Sequence, residues 1–287
     1  MRVLVTGGGG QLATDLVHVL AFHPQHTVVA PGRGSLDVAD RDAVRAAFGE
    51  VDPDVVFHTA AWTAVDACES DVDRAFKVNA LGTRHVAEGA RGNGAHVVYV
   101  STDYVFDGRC ERPYTEWDVT APQSVYGRSK LAGEHELLAQ LPGATVVRTA
   151  WVCGRHGDNM VKTILRLASK ATTLRFVDDQ WGCPTFTDDL AGALYEMGVG
   201  RRPGVFHVTN QGPTTWYRFA TDVVALAGAD PAMVLPIRTD ELVPPRPAPR
   251  PANSVLDNAA LRLSGLPLLA DHHEPLKRTV KALVAGH

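Results

Sequence analysis

The sequence predicts an α/β protein built on a doubly wound parallel sheet. Over the first 150 residues, short apolar blocks alternate with segments of helical period, the pattern of repeated strand and crossover helix. Each block is continuously apolar rather than alternating, as required of strands covered by helices on both faces. A glycine run also separates the first strand from the first helix.

The elements follow in order. Residues 2 to 6, Arg-Val-Leu-Val-Thr, form the first apolar run, and Gly7 to Gly10 follow as a turn. A helical pattern then places Leu12, Leu16, Val17 and Leu20 on one face. Val28-Val29-Ala30 reads as a second strand, Arg41 to Phe48 as a helix and Val55 to His58 as a third strand. Asn79 to Arg91 is helical, His96 to Ser101 a strand, Ser129 to Leu141 a helix and Ala144 to Arg148 another strand.

After Trp151 the rhythm loosens. Asn159 to Ala168, Asp188 to Met197 and Trp216 to Ala227 have helical patterns, and Gly204 to Val208 reads as one more strand. The expected division is a dinucleotide-binding Rossmann-type domain over 1–150, completed by about 185–210, and a smaller α/β substrate-binding domain over 151–184 and 211–287. Pro244 to Pro251 spells Pro-Pro-Arg-Pro-Ala-Pro-Arg-Pro, which proline excludes from helix and central strand. It reads either as a polyproline II segment or as an ordered loop carrying Arg246 and Arg250 toward a bound anion; the loop is favoured because helical pattern resumes at Asn258.

At 287 residues, 45% hydrophobic and 21% charged, the composition is that of an ordinary globular chain. A net charge of -4 offers no electrostatic reason for a nucleic-acid or anionic-membrane partner. No apolar stretch approaches the roughly 20 residues of a membrane helix. The first strand begins at residue 2 and leaves no room for a leader, so a cytoplasmic location is expected. Cys68, Cys110, Cys153 and Cys183 form no Cys-x-x-Cys pair and read as reduced thiols.

Thr6-Gly7-Gly8-Gly9-Gly10-Gln11-Leu12-Ala13 stands where a dinucleotide fingerprint stands. Glycine brings the backbone against a pyrophosphate, and the helix start offers unpaired amides. Gly7, Gly10 and Ala13 fit one glycine spacing and Gly8, Gly10 and Ala13 another, and both remain open at this point. The end of the second strand reads Pro31-Gly32-Arg33, with no acid before Asp37. An arginine there suits a 2′-phosphate, so NADPH is expected, with NADH the alternative. Asp37 and Val38 are expected to line the adenine pocket, and Ala60 and Ala61 to let the backbone pass beneath the cofactor; Asp37 reads otherwise as a helix-approach cap.

The chemistry falls on Thr102, Tyr126 and Lys130. Tyr126 and Lys130 are four apart in Tyr-Gly-Arg-Ser-Lys, so a helix carries phenol and ammonium on one face. Thr102 would hold a carbonyl, Tyr126 would protonate the nascent alkoxide and the nicotinamide would supply hydride. A tyrosine cycling protons near neutrality must be brought down by about 4 kcal/mol, and a neighbouring cation has the right sign.

With these residues in view, the chain resembles the extended short-chain dehydrogenase/reductases and, within them, the dTDP-4-dehydrorhamnose reductase family. The matching stretches include Ser101-Thr102-Asp103-Tyr104-Val105-Phe106, Val125-Tyr126-Gly127-Arg128-Ser129-Lys130, Arg148-Thr149-Ala150-Trp151 and Arg250-Pro251-Ala252-Asn253-Ser254, spread over nearly the whole chain. The resemblance implies reduction of the C4 ketone of dTDP-4-dehydro-L-rhamnose. It makes Thr102, Tyr126 and Lys130 catalytic and sets Asp103 and Trp151 against the sugar nucleotide, with Arg250 and Asn253 toward its diphosphate. Gly10, Gln11, Leu12, Asp37, Val38, Ala61 and Thr63 would meet the cofactor, with Gly7 and Arg33 beside them. Some members of the family are Mg²⁺-dependent homodimers; Asp15 is a counterpart for one ligand, but no complete set is legible and the metal is left unassigned. Two alternatives stand beside this reading: a reductase of another dTDP-4-keto-6-deoxysugar, and a non-catalytic NADP-binding regulatory subunit of the same fold. Intact Thr102, Tyr126 and Lys130 argue against the second.

Overall fold

The computed structural model describes residues 1–285; the last two positions of the expected second domain lie outside the described residues. Six parallel strands form the main sheet: β1 (Arg2–Thr6), β2 (Thr27–Val29), β3 (Val55–His58), β4 (His96–Thr102), β5 (Thr145–Thr149) and β10 (Gly204–His207), in the order β10-β5-β4-β3-β1-β2. Four further pieces are the short strands β6 (Val152–Cys153), β8 (Trp181–Gly182), β9 (Thr185–Phe186) and β11 (Thr214–Thr215). β7 (Leu174–Val177) pairs in parallel with β12 (Val234–Ile237).

Around the sheet lie α1 (Gln11–Ala21), α2 (Arg41–Val51), α3 (Val65–Ser70), α4 (Val72–Phe76), α5 (Gly82–Asn93), α6 (Val125–Gln140) and α8 (Thr187–Val199). The remainder of the chain adds α7 (Met160–Ala168), α9 (Trp216–Leu226), α10 (Ala259–Leu263) and α11 (His273–Ala285).

Alternate residues of each strand feed opposite cores. Val3, Val5 and Phe57 pack with Leu16 of α1 and with Leu190 and Leu194 of α8. On the other face Leu4, Val56 and Tyr99 pack with Phe48, Val86 and Leu137. Each fully buried aliphatic or aromatic side chain contributes about 1.5–3 kcal/mol, so residues from five helices are committed to holding this sheet. A third cluster, with Ile164, Phe186, Phe219, Val223 and Leu276, closes α7, α9 and α11 over their own core.

Strand order reverses at β1, which pairs with β2 on one side and β3 on the other. That switch opens a crevice at the carboxyl ends of β1 and β3, the standard ligand position in open α/β sheets.

Several element boundaries differ from the sequence reading. The helix carrying Tyr126 starts at Val125 rather than Ser129, because the Ser124 hydroxyl accepts the Gly127 amide and the Glu69 carboxylate accepts the Val125 amide. The expected helix from Asn79 begins as a widened π turn, Lys77–Leu81, before α5 continues. Strand β2 runs Thr27–Val29 and stops before Ala30, where Gly8 donates its amide to the Pro31 carbonyl.

Where α6 crosses that π turn the backbones nearly touch. A Cβ at Gly133 would stand 2.4 Å from the Asn79 carbonyl oxygen and 2.5 Å from the Tyr99 hydroxyl. Gly133→Ala is therefore expected to destabilise the protein by about 1–3 kcal/mol through overpacking, read as a lower urea midpoint; an unchanged midpoint would mean that the two helices can separate at no cost.

Candidate active site

The glycine run forms the floor of a cleft of about 340 Å³ at the switch point. Gly7 has φ +75°, which favours glycine, and a Cβ there would stand 2.9 Å from Ala60 Cα. Gly8 is equally constrained, since a Cβ would meet the Ala30 carbonyl oxygen at 2.1 Å. Gly9, by contrast, faces open space. Gly10 caps α1 with no side-chain hydrogen bond at its amides, and the first turn carries no acid. Ala13 is fully buried, leaving α1 free to press against the sheet. The helix start thus presents unpaired amides and a partial positive charge toward the cleft, an environment fitted to a pyrophosphate.

The cleft brings together Gly7, Gly10, Arg33, Asp37, Val38, Ala60 and Ala61 of the residues singled out from the sequence. Asp37 accepts the Ala39 amide, while the cap of α2 is Asp40. Gln11, Leu12 and Thr63 do not line this cleft. Gln11 turns to donate to the Val152 carbonyl, the Leu12 side chain is buried in the core beneath, and Thr63 is exposed.

Next to the cleft, Thr102 ends β4 and Tyr126 and Lys130 occupy the first turns of α6. The join is made by Trp62, which lines the cleft and also packs in the cluster containing Tyr126. Asn79 locks that join. It accepts the Trp62 amide, donates to the Trp62 carbonyl and donates to the Ser129 hydroxyl at 2.9 Å. From the sequence Asn79 reads only as a helical residue; its burial and its bonds belong to the fold.

Thr102 donates to Asp103 Oδ1 at 2.9 Å and accepts the Tyr104 amide. Asp103 is buried, its Oδ2 has no hydrogen-bond partner, and burial raises its carboxyl to about 6. Lys130 is 2% exposed, with Nζ donating to the Val100 carbonyl at 2.7 Å and lying 4.1 Å from the centre of the Tyr99 ring. Burial brings its ammonium down to about 7, partly opposed by Glu134. Glu134 itself is engaged elsewhere, in a two-pronged pair with the buried Arg148 guanidinium and with the Ser101 hydroxyl.

Tyr126 departs from expectation. A lowered phenol was expected beside the lysine, but burial pushes it well above its ordinary value, with Thr102 pulling the other way. The physical reason is that phenolate loses its solvation in this packing, and the negative charge of the neighbouring Asp103 pushes the same way.

The other expected substrate residues have partners within the chain. Trp151 has φ +47° and stacks on Trp216, centroids 3.5 Å apart and planes 4° from parallel. A Cβ at Gly182 would stand 2.3 Å from the same indole. The aromatic face expected to carry a sugar is thus shared with a second tryptophan, which the sequence reading had treated as a helix start. Arg250, expected toward a bound diphosphate, has its fork on Asp66 of α3, both bonds 2.9 Å. The loop is held there by the Ala248 amide on the same carboxylate. Asn253 donates to the carbonyls of Cys110 and Arg112 beside a separate cleft. Asp15, the counterpart considered for Mg²⁺, is buried inside the chain and takes the Thr187 hydroxyl.

This arrangement has known counterparts. Residues 1–285 match the family described as RmlD substrate binding domain. The chain belongs to that family. It is similar to a dTDP-4-dehydrorhamnose reductase of Streptomyces griseus, 44% identical over 98% of this chain and 94% of the relative. An equal identity of 44%, over 100% of this chain and 97% of the relative, links it to a probable dTDP-4,6-dihydroxy-2-methyloxan-3-one 4-ketoreductase of Streptomyces antibioticus. Among solved structures, a dTDP-4-dehydrorhamnose reductase from Bacillus anthracis in complex with NADP superposes with a TM-score of 0.94 at 34% identity, covering 98% of this chain and 99% of that one.

The buried lysine sets a pH dependence of stability. Above about 7 the folded protein has released the Lys130 proton while the unfolded chain still holds it up to about 10.5, so the unfolded state binds more protons in that window. Stability of the protein without ligand should therefore rise from pH 7 toward 9, at a slope of at most about 1.4 kcal/mol per pH unit. Urea melts of the parent and of Lys130→Met check this; an equal rise in the variant would assign it to another group.

Proposed function

We propose that the protein reduces the C4 ketone of dTDP-4-dehydro-L-rhamnose with NADPH, giving dTDP-L-rhamnose. One observation carries the reading: Thr102 at the end of β4 meets the Tyr126 phenol, Lys130 follows one turn later on α6, and Trp62 joins them to a glycine-floored cleft that Arg33 also lines. The close relatives named for this reaction, and the NADP in the Bacillus anthracis protein, support it.

In this reading Gly7 to Gly10 and the start of α1 receive the pyrophosphate, and Arg33 takes the 2′-phosphate. The bound nicotinamide supplies hydride to the ketone carbon. The Thr102 hydroxyl orients the ketone oxygen, with Asp103 beside it as the acceptor that fixes the hydroxyl's direction. Tyr126 gives its proton to the alkoxide oxygen. Its burial is an advantage here, because a phenol held above its ordinary range enters the reaction fully protonated, and an alkoxide is a stronger base than a phenolate. The phenolate left behind favours the charged form of Lys130, so the pair is stabilised when the proton has gone.

A second reading has a specific observation behind it, the equal identity to a relative named for a different dTDP-sugar. The chemistry is then the same and the sugar differs.

NADPH oxidation measured with dTDP-4-dehydro-L-rhamnose beside its unepimerised D-sugar precursor and related ketosugars decides between the two. Preference for the L-rhamnose precursor is expected; preference for another sugar selects the second reading, and no oxidation with any of them removes both. Tyr126→Phe should lower turnover by about 10²–10⁴-fold with NADPH affinity retained, and equal turnover would exclude Tyr126 as donor. Arg33→Ala should raise KM for NADPH at least about ten-fold while leaving that for NADH nearly unchanged; a parallel change in both would place the 2′-phosphate elsewhere.

A further inference from the structure

An ion pair lies one helical turn behind the candidate catalytic lysine. Lys130 and Glu134 are four residues apart on α6, both 2% exposed. A lysine and a glutamate at that spacing share a helix face and can pair. Here they go separate ways: the Lys130 ammonium donates to the Val100 carbonyl, while both Glu134 oxygens accept from the Arg148 guanidinium at 2.7 to 3.2 Å.

The pair is built into the sheet. Arg148 of β5 stands opposite Ser101 of β4, and Ser101 donates its hydroxyl to Glu134 at 2.5 Å. Ser101 lies between Val100, whose carbonyl holds Lys130, and Thr102, whose hydroxyl meets Tyr126. Two bonds one turn apart therefore join β4 to α6, Lys130 to Val100 and Ser101 to Glu134. Arg148 is itself 5% exposed. On its far side His207 of β10 offers no anion, since its Nδ1 faces the carbonyls of Tyr114 and Asp257 and burial keeps the ring neutral.

Few titratable groups surround Lys130. Burial holds His58 of β3 down at about 3 and Tyr99 of β4 well above its ordinary value, and Tyr126 on the same helix keeps its proton. Asp103 and Cys68 face the Tyr126 phenol, and the π turn brings Asn79, which does not titrate. Glu134 is the carboxylate on the lysine's own helix face. Released from Arg148, it would keep the ammonium charged and fixed, and Lys130 would gain less when Tyr126 becomes phenolate.

We propose, on the reading that the protein is this reductase, that Arg148 is a positioning residue: by engaging Glu134 it withholds the carboxylate one turn away from Lys130, leaving the ammonium on a neutral carbonyl and free to answer the charge that develops on Tyr126. Ser101 is the second hold on the same carboxylate.

The full-length parent is compared with Arg148→Gln and with Arg148→Gln combined with Glu134→Gln. Gln at 148 removes the charge and keeps a donor, and Gln at 134 keeps an acceptor for Ser101; exchanging both members of a buried pair for neutral groups is often tolerated. Urea melts without ligand are run from pH 7 to 9, and kcat and KM are measured against pH with NADPH and dTDP-4-dehydro-L-rhamnose. In Arg148→Gln the freed carboxylate raises the proton affinity of Lys130, so folded and unfolded chains both hold that proton over this range and the rise in stability is lost. The basic limb of kcat moves up by about one pH unit or more, with KM for NADPH unchanged. In the double variant no carboxylate remains on that face, so the rise returns and the limb lies where the parent has it. Arg148→Lys, which keeps the cation, should match the parent.

A merely structural arginine predicts a lower urea midpoint for Arg148→Gln at every pH with the rise and the limb in place, and that result overturns the proposal. So does a double variant whose limb falls by about one pH unit, because Glu134 would then already support Lys130 in the parent. That comparison decides the matter even where Arg148→Gln does not fold. The melts need no ketosugar: loss of turnover in every protein would sink the reduction, while the lost and regained rise still reports on Arg148.

Discussion

The burial of Lys130 is the constraint from which the rest of the candidate site follows. An ammonium 2% exposed needs a partner, and the nearest carboxylate, Glu134 one turn along α6, is already committed to Arg148 and Ser101. What remains is one carbonyl, that of Val100, and the face of the Tyr99 ring. Neither carries a full charge, so desolvation dominates and the ammonium becomes easy to deprotonate. The same packing keeps the proton on Tyr126. Two groups that in water would differ by little are driven apart, the phenol toward holding its proton and the amine toward losing it.

That packing is costly unless every polar group beneath it is satisfied. A buried layer does this along the carboxyl ends of the strands. Thr6 bonds to His58 Nδ1, His58 Nε2 to Thr83, and Thr83 donates to the Asn79 carbonyl. Burial holds His58 down at about 3, so the layer stays neutral beside Lys130. Asn79 then passes the connection to Trp62 on one side and Ser129 on the other. The cleft at β1 and β3 and the first turns of α6 are held by one continuous hydrogen-bonded layer, and the widened turn at Lys77–Leu81 is the backbone element that carries Asn79 there.

The second half of the chain contributes through aromatic stacking and through two arginines, Arg246 and Arg250, paired with Asp66. Trp151, in a backbone conformation that residues other than glycine seldom adopt, is pinned between Trp216 and Gly182. Arg250 reaches back to Asp66, so the proline-rich loop is fastened to α3, the same helix whose Glu69 caps α6. Residues nearly two hundred positions apart thereby set the entrance to a site whose reactive groups all come from the first half.

Much of this was legible in the chain itself, because local physics decides it. Apolar blocks of four to seven residues can only be buried strands, the glycine run can only be a tight turn against a helix start, and Tyr126 and Lys130 four apart on a helix must share a face. The two glycine spacings stay joined in three dimensions, where Gly7 is left-handed and Gly8 has no room for a side chain. Strands of two residues, such as β6 and β9, have no period to read, and they form because the chain around them is already in place. Nor does a sequence say what a charged side chain will meet. Arg250 grips Asp66, Glu134 pairs with Arg148, and the phenol rose where a neighbouring cation suggested that it would fall. The order of residues determined which groups could meet; burial, which depends on every packed neighbour at once, decided their partners and their protons.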